Sequence, residues 1–320
     1  MISPGRSGPF TVAVLLTAIA AAAALAVPLQ ATPPGAERPG PLPPLAVSQV
    51  ARSVQPGEVV RLDIESPVPI TGVAVRAFDR DIPVFRLEER RHRALVGVDL
   101  LVPPGDHAVT IEVRDTQGRR ATQVHRLTVL AKSFGTRTLK VDPRFVTPPA
   151  SARARIERER ARVAAAYASG REAPYFDGPF VSPLAESVRV SSFGVRSVFN
   201  GVPRDPHGGA DLASPTGTPV RAVQAGRVAL AGDLYFSGKV VILDHGAGVF
   251  SLFAHLSRID VEEGARVARD DRLGAVGATG RVTGPHLHWA VRVSGARVDP
   301  FSLLSVTESS TQAGAPATLP

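Results

Sequence analysis

The sequence predicts a mainly β protein in which two β domains are joined by a helix. Three observations support this fold class: short runs with period-two alternation between residues 46 and 131, a change to helical period between 151 and 169, and strand-like runs again from Val188 onward. The length of 320 residues allows about two domains. Because 44% of the residues are hydrophobic, the chain can fill the cores of both.

The composition excludes several kinds of chemistry and of partner. The chain has no cysteine, which rules out thiolate zinc sites, a cysteine nucleophile and disulfides, so any metal must be held by nitrogen and oxygen. The net charge is +8, but residues 190–302 hold 12 Lys and Arg against 10 Asp and Glu. Since no region concentrates positive charge, we predict no nucleic-acid partner.

The N-terminus has the form of an export signal. Residues 10–27 carry no charge, Arg6 precedes them, and small residues and Pro28 follow. Eighteen apolar residues are also about the minimum for a membrane span, so an uncleaved signal anchor is the alternative. We therefore expect residues 1–31 to be a signal peptide or signal anchor and the rest to reach the periplasm or cell envelope. In that case any membrane contact is made by this segment, and the proline-rich residues 32–45 form a linker.

Residues 46–131 are predicted to form a small antiparallel β-sandwich of the immunoglobulin-like type. The alternating runs are rich in branched residues, and Pro-Gly and Gln-Gly dipeptides separate them. His92 and His107 fall at expected turns and have no partner at metal-ligand spacing, so we expect both at the surface. The alternative is that the exposed acidic loop at residues 79–81 reaches a catalytic cleft in the C-terminal part of the chain and occludes it. Otherwise we expect the sandwich to contribute no catalytic residue and to act by position.

Residues 132–185 are expected to be a linker that contains a helix at 151–169. The helix would place Ile156, Val163 and Tyr167 on one face and end at Gly170. Opposite charges four residues apart, Arg153 with Glu157 and Arg155 with Glu159, support it. At the other end of the chain, residues 304–320 are predicted to be a disordered tail, because residues 307–320 are small, polar and proline-bearing.

The candidate site lies between residues 186 and 303, where five of the eight histidines fall between 207 and 288. His207 and Asp211 are separated by Gly208-Gly209 after a proline, which disfavours a helix, so we expect a tight loop that enters a strand. His286 and His288 are two residues apart, and in a strand they would project from the same face. His255 ends an alternating run, whereas His245 is expected to be a turn residue.

These residue types are typical of a hydrolytic metal site. A catalytic zinc ion keeps three protein ligands and one open position. His207, Asp211 and one of the two histidines at 286 and 288 would supply the three ligands. A histidine would then act as the base that manages the proton of the attacking water.

The motifs are specific enough to resemble a known family. They are Ser192-Phe193-Gly194-Val195-Arg196, His207-Gly208-Gly209-Ala210-Asp211, Ala254-His255-Leu256-Ser257 and Thr283-Gly284-Pro285-His286-Leu287-His288. In this order they closely resemble the lysostaphin-like, or LytM-type, zinc endopeptidases of peptidoglycan. The resemblance covers about residues 186–303 and implies the antiparallel β fold of that family, a duplicated hybrid motif. An exported sandwich in front of the peptidase is similar to envelope members of the family.

The resemblance also implies a role for each site residue. His207, Asp211 and His288 would bind Zn2+, whereas His255 and His286 would be catalytic. Phe253 departs from the tyrosine of many relatives, so a hydroxyl that could assist the oxyanion is missing there, and Tyr235 is a possible substitute.

The function expected from this resemblance is hydrolysis of peptide crosslinks in bacterial peptidoglycan during cell-wall remodelling, with the D,D-endopeptidase type favoured. The partners would be peptidoglycan peptide stems, and the sequence leaves the oligomeric state open. The alternatives are a catalytically silent wall-binding protein or activator of another cell-wall hydrolase, and an adhesion or scaffold protein. Residues 220–228, together with 264–267 and 272–274, also resemble the hairpin of a lipoyl carrier, which carries a modifiable lysine at its turn. This alternative is disfavoured because Lys239, the one lysine between 186 and 303, does not lie at that turn.

Overall fold

The computed structural model describes residues 42–170, 173–191 and 193–308. The expected signal segment, most of the proline-rich linker and the last twelve residues lie outside the described residues. Within the described ranges, no helix combines the length and the apolar character that a membrane crossing requires.

The N-terminal part is a sandwich of two antiparallel four-stranded sheets, as the alternating runs predict. The strand orders are β1-β2-β6-β5 and β4-β3-β7-β8. Branched and aliphatic side chains from both sheets, such as Leu62, Ile64 and Ile111, form a core between them. The strands are β1 Ala46–Val50, β2 Val59–Glu65, β3 Ile70–Ala77, β4 Arg80–Ile82, β5 Val84–Arg86, β6 Arg91–Gly97, β7 Gly105–Asp115 and β8 Arg120–Val129.

The prediction that His92 is a surface residue is wrong. His92 is only 8% exposed, because β6 begins at Arg91 and its register sets His92 opposite Ile64 of β2. Burial, together with the charge of Arg86, lowers the pKa of His92. His107 is half-buried, and its Nε2 lies 2.9 Å from the carbonyl oxygen of Pro103.

The expected linker contains the predicted helix, together with one strand and one short helix that the sequence pattern does not indicate. Its elements are β9 Thr136–Leu139, α1 Pro143–Val146 and α2 Ala150–Ala168. Helix α2 begins one residue before its predicted start, and Arg155 pairs with Glu159 as expected, whereas Glu157 pairs with Arg160. Its apolar edge, including Val163 and Tyr167, packs on the C-terminal domain.

The C-terminal domain is built on one large antiparallel sheet of order β10-β13-β21-β17-β16-β15-β19, with β22 paired to β21. A second sheet has the order β14-β20-β18, and a third joins β12 and β11 to β9 of the linker. The elements are β10 Val188–Ser191, β11 Arg196–Phe199, β12 Val202–Pro203, β13 Gly209–Ala213, β14 Pro219–Arg221, β15 Gly226–Leu234, β16 Gly238–Asp244, β17 Val249–Leu256, β18 Arg258–Ile259, β19 Arg266–Val267, β20 Arg272–Ala275, β21 Leu287–Val293, β22 Ala296–Val298 and α3 Pro300–Glu308.

The prediction that the disordered tail begins at residue 304 is wrong, because residues 304–308 belong to helix α3. The helix continues to Glu308, and its Leu303 and Val306 are fully buried. Its Ser302 hydroxyl accepts a hydrogen bond of 2.8 Å from the backbone N–H of Val59 in the sandwich. The apolar residues at the end of the chain therefore find a hydrophobic partner in another domain, which the local composition does not reveal.

The sandwich and the C-terminal domain share one hydrophobic core. Val59 and Leu95 of the sandwich belong to the same buried cluster as the large sheet. Arg297 forms hydrogen bonds of 2.9 and 3.2 Å with the Asp99 carboxylate. A Cβ atom on Gly97 would lie 2.7 Å from the Cβ of Ala296, so the two surfaces approach closely. The sandwich is thus docked on the hairpin of β21 and β22 and on α3.

Candidate metal centre

Asp211 and His288 are brought together by the register of two neighbouring strands. They are directly paired on β13 and β21, so their side chains project from the same face of the sheet. The Asp211 Oδ1 and His288 Nδ1 atoms lie 2.9 Å apart. Gly209 on β13 is close to this pair, and a Cβ atom there would lie 2.5 Å from the Trp289 carbonyl oxygen and 2.9 Å from His288 Cε1.

His207 reaches the same point from the loop before β13. Its Nε2 lies 3.0 Å from Asp211 Oδ1 and 2.9 Å from His288 Nδ1. Backbone hydrogen bonds hold the loop: the His207 N–H donates to the Val195 carbonyl, and the Gly194 N–H donates to the His207 carbonyl. Gly194 has a φ of +82°, and a Cβ atom on it would clash with the ring of Phe134.

The three atoms fit a metal ion with nitrogen and oxygen ligands. In a tetrahedral zinc site with bonds of about 2.0–2.2 Å, ligand atoms lie about 3.3 Å apart. The observed separations of 2.9 to 3.0 Å reach that geometry with outward shifts of a few tenths of an ångström.

Burial alone would raise the pKa of Asp211, but hydrogen bonds with His207 and His288 hold it well below its usual range. Burial lowers the pKa of His288. An ionised carboxylate and a neutral imidazole are the forms that bind metal.

His255 and His286 lie beside this group of three. The His286 Nε2 is 3.7 Å from Asp211 Oδ1, and the ring centroids of His255 and His286 are 5.0 Å apart. Each Nδ1 lies 2.9 Å from a backbone carbonyl oxygen, that of Thr279 for His255 and that of Gly284 for His286. Because a carbonyl only accepts, both Nδ1 atoms carry a proton, so in the neutral form of either ring the lone pair is on Nε2.

The backbone of His255 explains how its ring reaches the site. Ala254 is paired with His288, so strict alternation would turn the next side chain to the opposite face. His255 instead has a φ of +65°, in the left-handed region that non-glycine residues rarely adopt. Its N–H donates to the Ser237 carbonyl at 2.9 Å. Burial, with the nearby His288 and His286, lowers the pKa of His255 to about 3, so this ring is neutral.

Three other residues singled out in the sequence are not among those that line the cavity around the metal ligands. His245 is in a turn as expected but fully buried, with Nδ1 donating to the Ala225 carbonyl at 2.8 Å. The ring of Phe253 is fully buried in the core, so a tyrosine hydroxyl at this position would not face the metal ligands. The Tyr235 hydroxyl donates to the Arg144 carbonyl at 3.1 Å.

The linker forms one wall of the cleft, which the sequence analysis missed. The cleft is a cavity of about 360 Å³, and all five site residues line it. The linker also lines it, through Arg137, Leu139 and Val141. The Arg137 Nη2 lies 3.6 Å from Asp211 Oδ2. The amide of Asn200 holds the linker in place, accepting from the Val141 N–H at 3.0 Å and donating to its carbonyl at 2.8 Å. Strand β9 has only four residues, which is too short for a recognisable alternating pattern in the sequence. Its partner β11 lies sixty residues away along the chain. The acidic loop at 79–81 is not among the residues that line the cleft.

The remaining walls contain a second feature that the sequence analysis missed. Arg281 lines the cleft together with the aromatic rings of Phe199 and Phe236. The sequence feature that could have indicated it is an arginine between two glycines in the loop that leads to His286.

Comparisons with known proteins agree with this geometry. The sequence profile of Peptidase family M23 matches residues 205–300. Over 107 residues, a third of this chain and a quarter of the relative, the chain is 44% identical to the DD-carboxypeptidase/endopeptidase Mpg of Neisseria meningitidis. Over 94 residues, 29% of this chain and 22% of the relative, it is 43% identical to the peptidoglycan DD-endopeptidase ShyA of Vibrio cholerae. The match thus spans about a quarter of the length of these curated relatives.

One solved structure matches most of the chain. It is the crystal structure of a candidate M23 peptidase from Pseudomonas aeruginosa, with 37% sequence identity and a TM-score of 0.58. The match covers 80% of this chain and 96% of that one.

Proposed function

The chain belongs to peptidase family M23, and on that basis we propose that it is a zinc-dependent endopeptidase that hydrolyses peptide crosslinks of bacterial peptidoglycan. The observation that carries the proposal is the convergence of His207, Asp211 and His288 within 3.0 Å of one another, with two further histidines beside them. The relatives named as DD-endopeptidases favour the D,D type of crosslink.

In this proposal His207, Asp211 and His288 hold the metal, and His255 and His286 move protons. A bound zinc ion supplies a Lewis acid that polarises the peptide carbonyl and makes water more acidic. The neutral His255 accepts a proton at Nε2, because Thr279 keeps its Nδ1 protonated. The Gly284 carbonyl orients His286 in the same way, so its Nε2 can hold or pass on a proton beside the metal ligands.

The alternative functions are less well supported by the residues present. A silent wall-binding protein or an activator would not need all three ligands together with two oriented histidines. We infer that the protein acts in the periplasm or cell envelope, because peptidoglycan lies there and residues 1–31 have the form of an export signal.

The test of this function is an assay on purified peptidoglycan. We expect the protein to retain about one zinc ion per chain and to release new amino groups from the polymer. A chelator should stop the release, and added zinc should restore it. Mass spectrometry of defined crosslinked muropeptides then identifies the bond that is cut. A protein that binds zinc and peptidoglycan but releases no amines would support the silent alternative.

We further propose that the sandwich supplies no catalytic residue and that the linker serves as a wall of the substrate cleft and does not block it. The open cavity between the linker and the metal ligands supports this proposal. Removal of the first 178 residues would not test it, because Val59 and Leu95 belong to the core of the C-terminal domain.

The substitution Asn200→Gly tests the role of the linker. Glycine tolerates the φ of 51° at this position, so the backbone conformation is kept, and the two side-chain hydrogen bonds to Val141 are lost. We expect kcat/KM on a soluble crosslinked muropeptide to fall by up to about thirtyfold, since two hydrogen bonds worth about 1 kcal/mol each are lost. The matched control is Asp79→Gly, which has a φ of 58° on the acidic loop and should leave the rate unchanged. A higher rate for Asn200→Gly would mean that the linker inhibits the enzyme.

A further inference from the structure

Arg281 is held in the cleft by its backbone and by two aromatic rings. Its N–H donates to the Phe236 carbonyl at 2.8 Å. The guanidinium carbon lies 4.8 Å from the ring centroid of Phe236 and 5.1 Å from that of Phe199. These distances are within the range of cation–π contacts, and arginine stacks on such rings while its N–H groups stay free to bind at the edge.

The described part of the chain provides no anion that balances the charge of Arg281. Among residues 42–170, 173–191 and 193–308, no carboxylate lies within 4.0 Å of its guanidinium nitrogens. Burial and the charge of Arg204 lower the pKa of Arg281, although an arginine in a protein remains protonated. Arg204 donates to the Val146 carbonyl at 2.6 Å, and this neutral partner leaves its charge in place. A half-buried cation next to a second cation is unfavourable until an anion reaches it.

The position of Arg281 relates this charge to the reaction. It precedes the catalytic candidate His286 by five residues and lines the same cavity as the metal ligands. Arg137 lines that cavity from the linker and lies near Asp211, so it faces a carboxylate that the protein itself provides. Of the two arginines that line the cleft among the described residues, Arg281 is therefore the one available to a ligand.

We propose that Arg281 binds a free carboxylate of the stem peptide close to the scissile bond and thereby selects substrates that carry this negative charge. This inference rests on the proposed function, since it names the chemistry of the substrate that the same cleft accepts. The planar guanidinium matches a carboxylate through two parallel N–H···O bonds. Amidation of the carboxylate would remove the charge and one acceptor atom.

The test compares two soluble crosslinked muropeptides that differ only in this group, one with free stem carboxylates and one with the same positions amidated. For the wild type we expect kcat/KM to be about tenfold to a hundredfold higher on the free carboxylate, the range for a charge-assisted hydrogen bond. In Arg281→Met the ratio should fall to near one. In Arg281→Lys, which keeps the charge and loses the fork, it should take an intermediate value. Arg158→Met removes an exposed arginine of α2 and should keep the wild-type ratio.

Zinc content and calorimetric binding separate this inference from the proposed function. If the wild type holds zinc and cuts neither muropeptide, the proposed function fails, and the subsite is judged by binding. Tighter binding of the free carboxylate that is lost in Arg281→Met would still support the subsite. A wild-type preference that persists in Arg281→Met, or the absence of any preference, would overturn it.

Discussion

Replacing Asp211 with alanine is expected to empty the metal site and abolish peptidase turnover. Asp211 Oδ1 is the point on which His207 and His288 converge, at 3.0 and 2.9 Å, and Asp211 is the anionic member of the three. Without it two imidazoles remain, too few ligands for a stable catalytic zinc site. We expect zinc to fall from about one to less than about a tenth of an equivalent per chain, and turnover to fall to the background of the assay.

Metal analysis of the purified variant measures the first effect, and amine release from peptidoglycan measures the second. Asp205→Ala removes an exposed carboxylate six residues away and should keep both zinc and activity. His207→Ala should behave like Asp211→Ala. If the double variant with His207→Ala and Asp211→Ala still held one zinc per chain, the ligand assignment would be wrong.

The second large effect is a loss of turnover without a loss of metal in His255→Ala and His286→Ala. His286 Nε2 lies 3.7 Å from Asp211 Oδ1, outside the group of three atoms that lie within 3.0 Å of one another. Both rings are oriented for proton transfer by backbone carbonyls. Loss of a general acid or base lowers the rate by about a hundredfold to ten-thousandfold. We expect this loss in kcat for each variant, with the zinc content of the wild type.

His288→Ala is the contrasting variant, because it should lose the metal. His107→Ala, on the sandwich, controls for removal of a histidine outside the site. The informative comparison is between positions 286 and 288. If His286→Ala stripped the zinc and His288→Ala kept it, the two histidines would have exchanged roles.

Much of the fold follows from local patterns in the sequence. The alternating runs of the sandwich and the helical period of α2 lie within single segments, so they can be recognised without knowing what each segment packs against. The end of α3 and the burial of His92 could not be recognised in this way. Both depend on partners in another part of the chain, Val59 for α3 and Ile64 for His92.

The candidate site divides in the same manner. By itself the sequence determined the ligand chemistry. The chain has no cysteine, so a metal must be bound by nitrogen and oxygen, and the histidines and the aspartate that can supply these atoms are grouped in a few glycine-containing motifs: His207, Asp211, His255, His286 and His288. Spacing alone left open which of the paired histidines meets the metal, since both face the same side of a strand. Only the tertiary structure decided how the cleft is enclosed. The register of β13 and β21, the left-handed turn at His255 and the pairing of β9 with β11 join segments distant in sequence, and such pairings are set by packing across the whole domain.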